Sequence, residues 1–153
     1  MADEVVEDGE QLYRRVPNSS AFFSSSNGTL RLSSCVFNDK AKSTAEKRPS
    51  VDRAKLRGHD PHAAKTEPTQ GIVGLVTEAV RNISGVTRTD TSGNVVTEHA
   101  VDVIYDPRED NNAHALVTVA PVFESNRPFE RLKDSLARLA EKGGWLVEPG
   151  GGD

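Results

Sequence analysis

The chain reads as α+β: a mostly antiparallel sheet of about five to six short strands with two helices packed on one face. Three observations predict this class. Apolar and polar residues alternate through residues 29–37, 95–105 and 113–120, the period of strands with one buried face. A capped amphipathic helix follows, with Phe129, Leu132, Leu136, Leu139 and Ala140 along one stripe. The order strand, strand, helix, three strands, helix, strand favours pairing between neighbours, with the helices segregated to one side.

Taken in order, residues 1–10 carry Asp3, Glu4, Glu7, Asp8 and Glu10 without a base, and are expected to form a disordered acidic tail. Residues 12–16, LYRRV, read as a short strand stopped by Pro17. Phe22 and Phe23 stand among serines and should tuck a loop onto the core. The Asn27-Gly28 turn signal precedes the strand at 29–37. Residues 38–68 hold little apolar content beyond Val51, Leu56 and alanines, and are punctuated by Pro49, Pro61 and Pro68. They are expected as a mobile basic loop, with one short helix capped by Ser50 and ended by Gly58.

Residues 71–83 place Ile72, Leu75, Val76, Ala79, Val80 and Ile83 on one helical face. That spacing predicts a helix, capped at Thr69 and ended by Ser84-Gly85. Residues 86–89 and 95–105 then pair around the turn at 90–94, and 113–120 returns after the DPREDNN loop. The last helix is capped by Ser125 or Asn126, holds Pro128 in its first turn and stops at Gly143-Gly144. Residues 145–147 close the core as a final strand, and 150–153 fray. One domain over 11–149 results.

A chain of 153 residues fits a single domain. Hydrophobic residues are 35% of it and aromatics 5%; they gather in the second half, so the core is expected to span roughly 90–110 residues. A net charge of −4 is too small to imply a membrane or nucleic-acid partner. Its distribution says more, because the acidic first residues and the bases between 40 and 65 can screen each other. The lone Cys35 excludes an internal disulfide and a multi-cysteine zinc site, and is expected as a small buried hydrophobe. From the acidic start no secretion signal is expected, and no apolar run approaches the roughly 20 residues of a membrane span. A cytoplasmic location is therefore expected.

Candidate chemistry is thin. His59-Asp60-Pro61-His62 has metal-ligand residue types, but Pro61 prevents the helix that would align two imidazoles. His99 and His114 flank the DPREDNN hairpin, and strand geometry sets them on the order of 20 Å apart. His114 does cluster with Tyr105, Asp106 and Asp110 at a strand end, where general acid–base groups often lie. Arg14 and Arg15 are successive strand residues and must point to opposite faces. The one turned inward needs an acidic or carbonyl partner: Asp52 or Asp102 in a structural pair, or the anionic group of a ligand. Gly71 and Gly74 spell the GxxG of nucleic-acid-binding KH loops, but the pair between them is apolar. Walker, Rossmann and nucleophile-elbow patterns are absent, and no cofactor or metal is indicated.

LYRRV, the Phe22/Phe23 loop, SVDRA and DPREDNNAHALV, in this order, resemble a group of short bacterial proteins without an assigned activity, over residues 12–120. The resemblance implies that Arg14, Ser50, Asp52 and His114 converge on one surface. The leading expectation is a non-catalytic module that binds a protein partner or a small anionic ligand. The alternative is a small enzyme acting on a nucleotide or phosphate-bearing substrate. There Arg14 or Arg15 would bind the anion, Ser50 and Tyr105 would line the pocket, and His114 would be general acid–base oriented by Asp52. A third reading has the basic loop 40–65 binding nucleic acid, though it lacks aromatics for base stacking.

Overall fold

Alternation along the first strand, β1 (Gln11–Val16), sorts the molecule into two faces. Leu12 and Val16 enter the main core, whereas Tyr13 enters a smaller cluster with Ala54, Ala64, Ile72 and Val147. The computed structural model describes residues 5–26 and 29–150, and all element counts refer to these. β1 lies inside a six-stranded sheet with β4 (Ser50–Arg53), β5 (Gly71–Val76), β8 (Ala100–Tyr105), β9 (His114–Ala120) and β10 (Trp145–Val147), in the order β10-β5-β1-β4-β9-β8. Every pairing in it is antiparallel. Two ribbons stand apart, β2 (Phe23–Ser26) with β3 (Thr29–Leu32), and β6 (Thr87–Thr89) with β7 (Val95–Glu98).

Two α-helices, α1 (Thr77–Arg81) and α2 (Asn126–Gly143), complete the architecture. The α2 stripe buries Phe129, Leu132, Leu136, Ala137 and Ala140 against Val51, Val73, Val103 and Val117, and α1 adds Val80 to the same core. Gly144, with φ of 66°, stops α2 as its position after the stripe predicts. Among the described residues no helix is long and apolar enough to cross a membrane.

Four expectations are corrected. Residues 71–83 are β5 followed by the short α1 instead of one helix. Ile72 is buried on one face and Val73 and Leu75 on the other, and a strand covered on both faces shows an unbroken apolar run that periodicity alone confuses with a helix. Glycines weaken the helix further, and here they make room. A Cβ on Gly71 would lie 2.5 Å from Trp145 Cζ3, and one on Gly74 2.9 Å from Leu146 Cδ1.

Second, the segment expected as a basic loop with a helix capped by Ser50 supplies a central strand, β4, flanked by β1 and β9. Gly58 does end the turn of 3-10 helix at Ala54–Arg57. Third, the long strands break. Residues 29–37 divide into β3 and a 3-10 turn, Ser34–Phe37, capped by the Ser33 side chain, and residues 95–105 divide at His99, whose N–H bonds Val86 O at 2.9 Å. Fourth, residues 5–10 of the expected acidic tail are docked: Val6 is buried, and Thr77 N–H donates to Glu10 O at 3.0 Å. Residues 1–4, the Asn27-Gly28 turn and residues 151–153 lie outside the described residues.

Docking is completed by charge. Arg53, 0% exposed, donates from Nε to Glu10 Oε1 at 2.8 Å and from Nη2 to Oε2 at 2.7 Å, a bidentate fork that suits a buried carboxylate. Its guanidinium also lies 4.6 Å from the centroid of the Tyr105 ring. At the edge of the sheet, Arg81 Nε bonds Asp102 Oδ1 at 2.7 Å, and its Nη2 donates to Val103 O at 3.1 Å. Val103 N–H donates to that same Asp102 oxygen at 2.7 Å.

Burial alone would raise the Glu10 carboxyl, but hydrogen bonds from Arg53 and the Glu7 N–H, with the Arg53 and Lys55 charges, hold it below its ordinary value. The folded value being the lower one, its contribution is complete above about pH 4.5 and fades as pH falls through the depressed value. Glu10→Gln should remove that part of the acid sensitivity and cost roughly 3–5 kcal/mol at neutral pH, because Arg53 loses its buried counter-charge; urea denaturation across pH measures both. Gly71→Ala should destabilise by roughly 1–3 kcal/mol through overpacking. Adding Trp145→Leu should cost less than the two single changes summed, and strict additivity would show that the ring is not the obstacle.

Candidate functional site

The β1–β4–β9 register sets Tyr13 opposite Asp52 and Asp52 opposite His114. Asp52, 1% exposed, takes Arg15 Nη2 at 2.7 Å and Arg57 Nη2 at 3.0 Å. Its other oxygen accepts from Asn111 Nδ2 at 2.8 Å. Arg57 Nη2 also donates to Asn111 Oδ1 at 2.7 Å, which closes a ring of contacts. Arg15 Nε bonds the carbonyl of Ala64. The Arg15–Asp52 pair is thus the structural ion pair that an inward-turned arginine requires.

His114 is oriented by another carboxylate. Its Nδ1 lies 3.0 Å from Asp106 O and 3.2 Å from Asp106 Oδ2, so the expected His114–Asp52 couple is replaced by His114–Asp106. Tyr105 packs against the main core and donates its hydroxyl to Asn112 O at 2.6 Å. Among the described residues no group of three or more His, Cys, Asp or Glu side chains is placed to hold a metal ion.

Arg14 lies on the other face. Its Nε donates to Val36 O at 2.9 Å, its Nη1 to Ser50 O at 2.6 Å and Ser50 Oγ at 3.0 Å, and its Nη2 to Asn38 O at 3.1 Å. The convergence implied by the resemblance therefore holds for Arg14 with Ser50 only. Asp52 and His114 are across the sheet, beside Tyr13, while Arg14 shares the face of Leu12 and Val16.

The setting of Arg14 is unusual for an arginine. Each of its hydrogen bonds ends on a neutral oxygen, and no carboxylate of the described residues pairs with it. Burial, with the like charge of Arg15 beside it, pushes its guanidinium down to about 10; Asp39 and Asp52 offset this in part. It lines a cavity of about 760 Å³ with Arg15, Lys40, Lys47 and Lys133 as the other cations and Asp39 and Glu130 as the acids. Arg15 is spent on Asp52. Lys133, 5% exposed, bonds Asn38 Oδ1 at 2.5 Å and Glu130 Oε1 at 3.0 Å. Its Nζ stands 5.0 Å from the Phe129 centroid, and Lys47 Nζ stands 5.1 Å from the same ring. Phe22, Val36 and Pro17 add apolar wall.

Cys35 lines this cavity and is exposed, against the expected buried role, because the 3-10 turn buries its neighbours Val36 and Phe37 instead. Lys40 and Lys47 entered the sequence reading only as part of the basic loop 40–65 and its nucleic-acid alternative, and Lys133 is a functional candidate that it passed over. Lys133 carried a signal: it sits four residues after Phe129 and three before Leu136, inside the apolar stripe of α2. Comparison of the chain with protein-family models, curated proteins and solved structures found no match.

Removing Asp52 strands two partly buried guanidiniums, so Asp52→Ala should cost roughly 3–5 kcal/mol. His114→Ala, which removes only the contact of a half-buried imidazole with Asp106, should cost under about 1.5 kcal/mol. Thermal and urea unfolding of the two variants check this; equal losses would place His114 inside the same network.

Proposed function

We propose that the protein is a non-catalytic module that binds a small anionic ligand in the cavity between the end of β1, the turn at Ser34–Phe37 and α2. One observation carries the reading: a half-buried guanidinium whose hydrogen bonds all end on neutral oxygens, with no carboxylate of the described residues bonded to it. Stripping water from a cation costs free energy that an opposite charge returns, so an anion beside Arg14 gains more than one at an exposed site. The cavity's size falls within the ~300–1,000 Å³ usual for small-ligand sites. Lys40 and Lys47, which have no carboxylate partner among the described residues, add charge at its wall.

The enzyme alternative draws no comparable support. With Arg14 as the anion binder it needs Arg14 and His114 around one substrate, and these residues occupy opposite faces of the sheet; Arg15 shares the His114 face, but its guanidinium is held by Asp52 and the Ala64 carbonyl, and His114 is bonded to Asp106 instead of Asp52. Nucleic-acid binding through residues 40–65 is likewise disfavoured, since Arg53 and Arg57 are committed to Glu10 and Asp52.

Titration with phosphate, sulfate, citrate and malonate, followed by amide NMR, should move the signals of residues 14, 35–40, 47 and 133. Arg14→Met should weaken the best of these anions by roughly 10–100-fold, the worth of one charge-assisted hydrogen bond. Shifts confined to other surfaces, or unaltered affinity in Arg14→Met, would defeat the proposal.

A further inference from the structure

We infer that the ligand of this cavity is a phosphate monoester carrying an apolar or aromatic body, rather than a carboxylate; this rests on the anion-binding reading above. The inference comes from counting donors. A guanidinium has five N–H groups. Arg14 has given Nε to Val36 O, both hydrogens of Nη1 to Ser50, and one of Nη2 to Asn38 O. One N–H is left, so Arg14 supplies charge and a single bond but no two-pronged fork. A fork would serve the planar pair of oxygens in a carboxylate or two oxygens of a phosphate alike, so the choice between them rests on where the remaining donors come from.

The other cations are ammoniums. Lys133 has bonds to Asn38 and Glu130, which leaves one of its three donors. Lys47 is poised beside Phe129, and Lys40 also lines the wall. Single donors arriving from separate elements suit a tetrahedral group with three free oxygens, and lysine binds phosphate in this way, as a point charge. Two charges on the group also match the number of cations better than one. Neutralisation is not complete within the protein, since the carboxylates on the wall are Asp39 and Glu130, and both have protein partners: the Arg48 N–H and Lys133.

A phosphoryl group alone underfills about 760 Å³. Phe22, Val36 and Pro17 give the remaining wall an apolar character, which would cover the body of an ester and remove its surface from water.

Calorimetric titration at pH 8 with inorganic phosphate, phenyl phosphate and malonate separates the possibilities, all three being largely doubly charged there. Phosphate should bind at least tenfold more tightly than malonate, and phenyl phosphate more tightly than phosphate. Lys47→Met should shrink the phosphate-to-malonate ratio, with far-ultraviolet circular dichroism confirming the fold. Malonate binding as tightly as phosphate would overturn the inference and leave the anion-binding reading standing. Phenyl phosphate binding no better than phosphate would overturn the ester body. Failure of all three to bind would overturn both readings.

Discussion

Asp52 and Arg53 are adjacent, carry opposite charges and are almost sealed from solvent, yet they cannot neutralise each other. Strand geometry sends them to opposite faces of the sheet. Each must therefore draw a counter-charge from elsewhere in the chain. Asp52 gathers Arg15 and Arg57, and Arg53 gathers Glu10. Since an unpaired buried charge costs several kcal/mol, these demands tie the N-terminal segment, β1 and the turn at Ala54–Arg57 to one short strand. β4 is also the bridge between the β10-β5-β1 and β9-β8 halves of the sheet. Packing supplies the bulk of the core, and this pair of demands specifies which segments meet at its centre.

The same strand explains why parts of the fold were legible in the sequence and others were not. Periodicity read well where one face is wet: Val101 and Val103 alternate with Asp102 and Ile104 in β8, and Phe129, Leu132, Leu136 and Ala140 of the α2 stripe are buried, with Leu139 partly so. It misread β5, where both faces are covered. It also undervalued residues 50–53, whose hold on the fold comes in large part from ion pairs with Arg15 and Glu10, tens of positions away, which no local pattern shows. The split of Arg14 and Arg15 followed from strand geometry, whereas the choice of Asp52 over Asp102 as the partner, and of Arg15 as the arginine it pairs, came only with the folded chain. Nor was the candidate cavity legible, because its lysines come from the turn-rich stretch after β3 and from the interior stripe of α2, and only the folded chain brings them together.

The cavity and the Asp52 network illustrate two ways of accommodating a half-buried arginine within one strand. Arg15 is matched charge for charge and is thereby committed. Arg14 is held by carbonyls and a hydroxyl, which fix its position and leave it without a directly bonded carboxylate among the described residues. Under the proposed reading, such a group enters binding already ordered, so the ligand need not meet the entropic cost of freezing a long side chain.

The outer strand β8 carries a further implication. A free sheet edge displays amide and carbonyl groups on which a foreign strand can template itself. At Val103 both groups are already taken by side chains of the same chain, the N–H by Asp102 and the carbonyl by Arg81. Arg81 is in turn moored to Asp8 at 2.7 Å. A strand approaching from another molecule would have to displace two charged side chains to gain a single register position, so docking of the N-terminal segment also blunts the side of the sheet most open to runaway self-assembly.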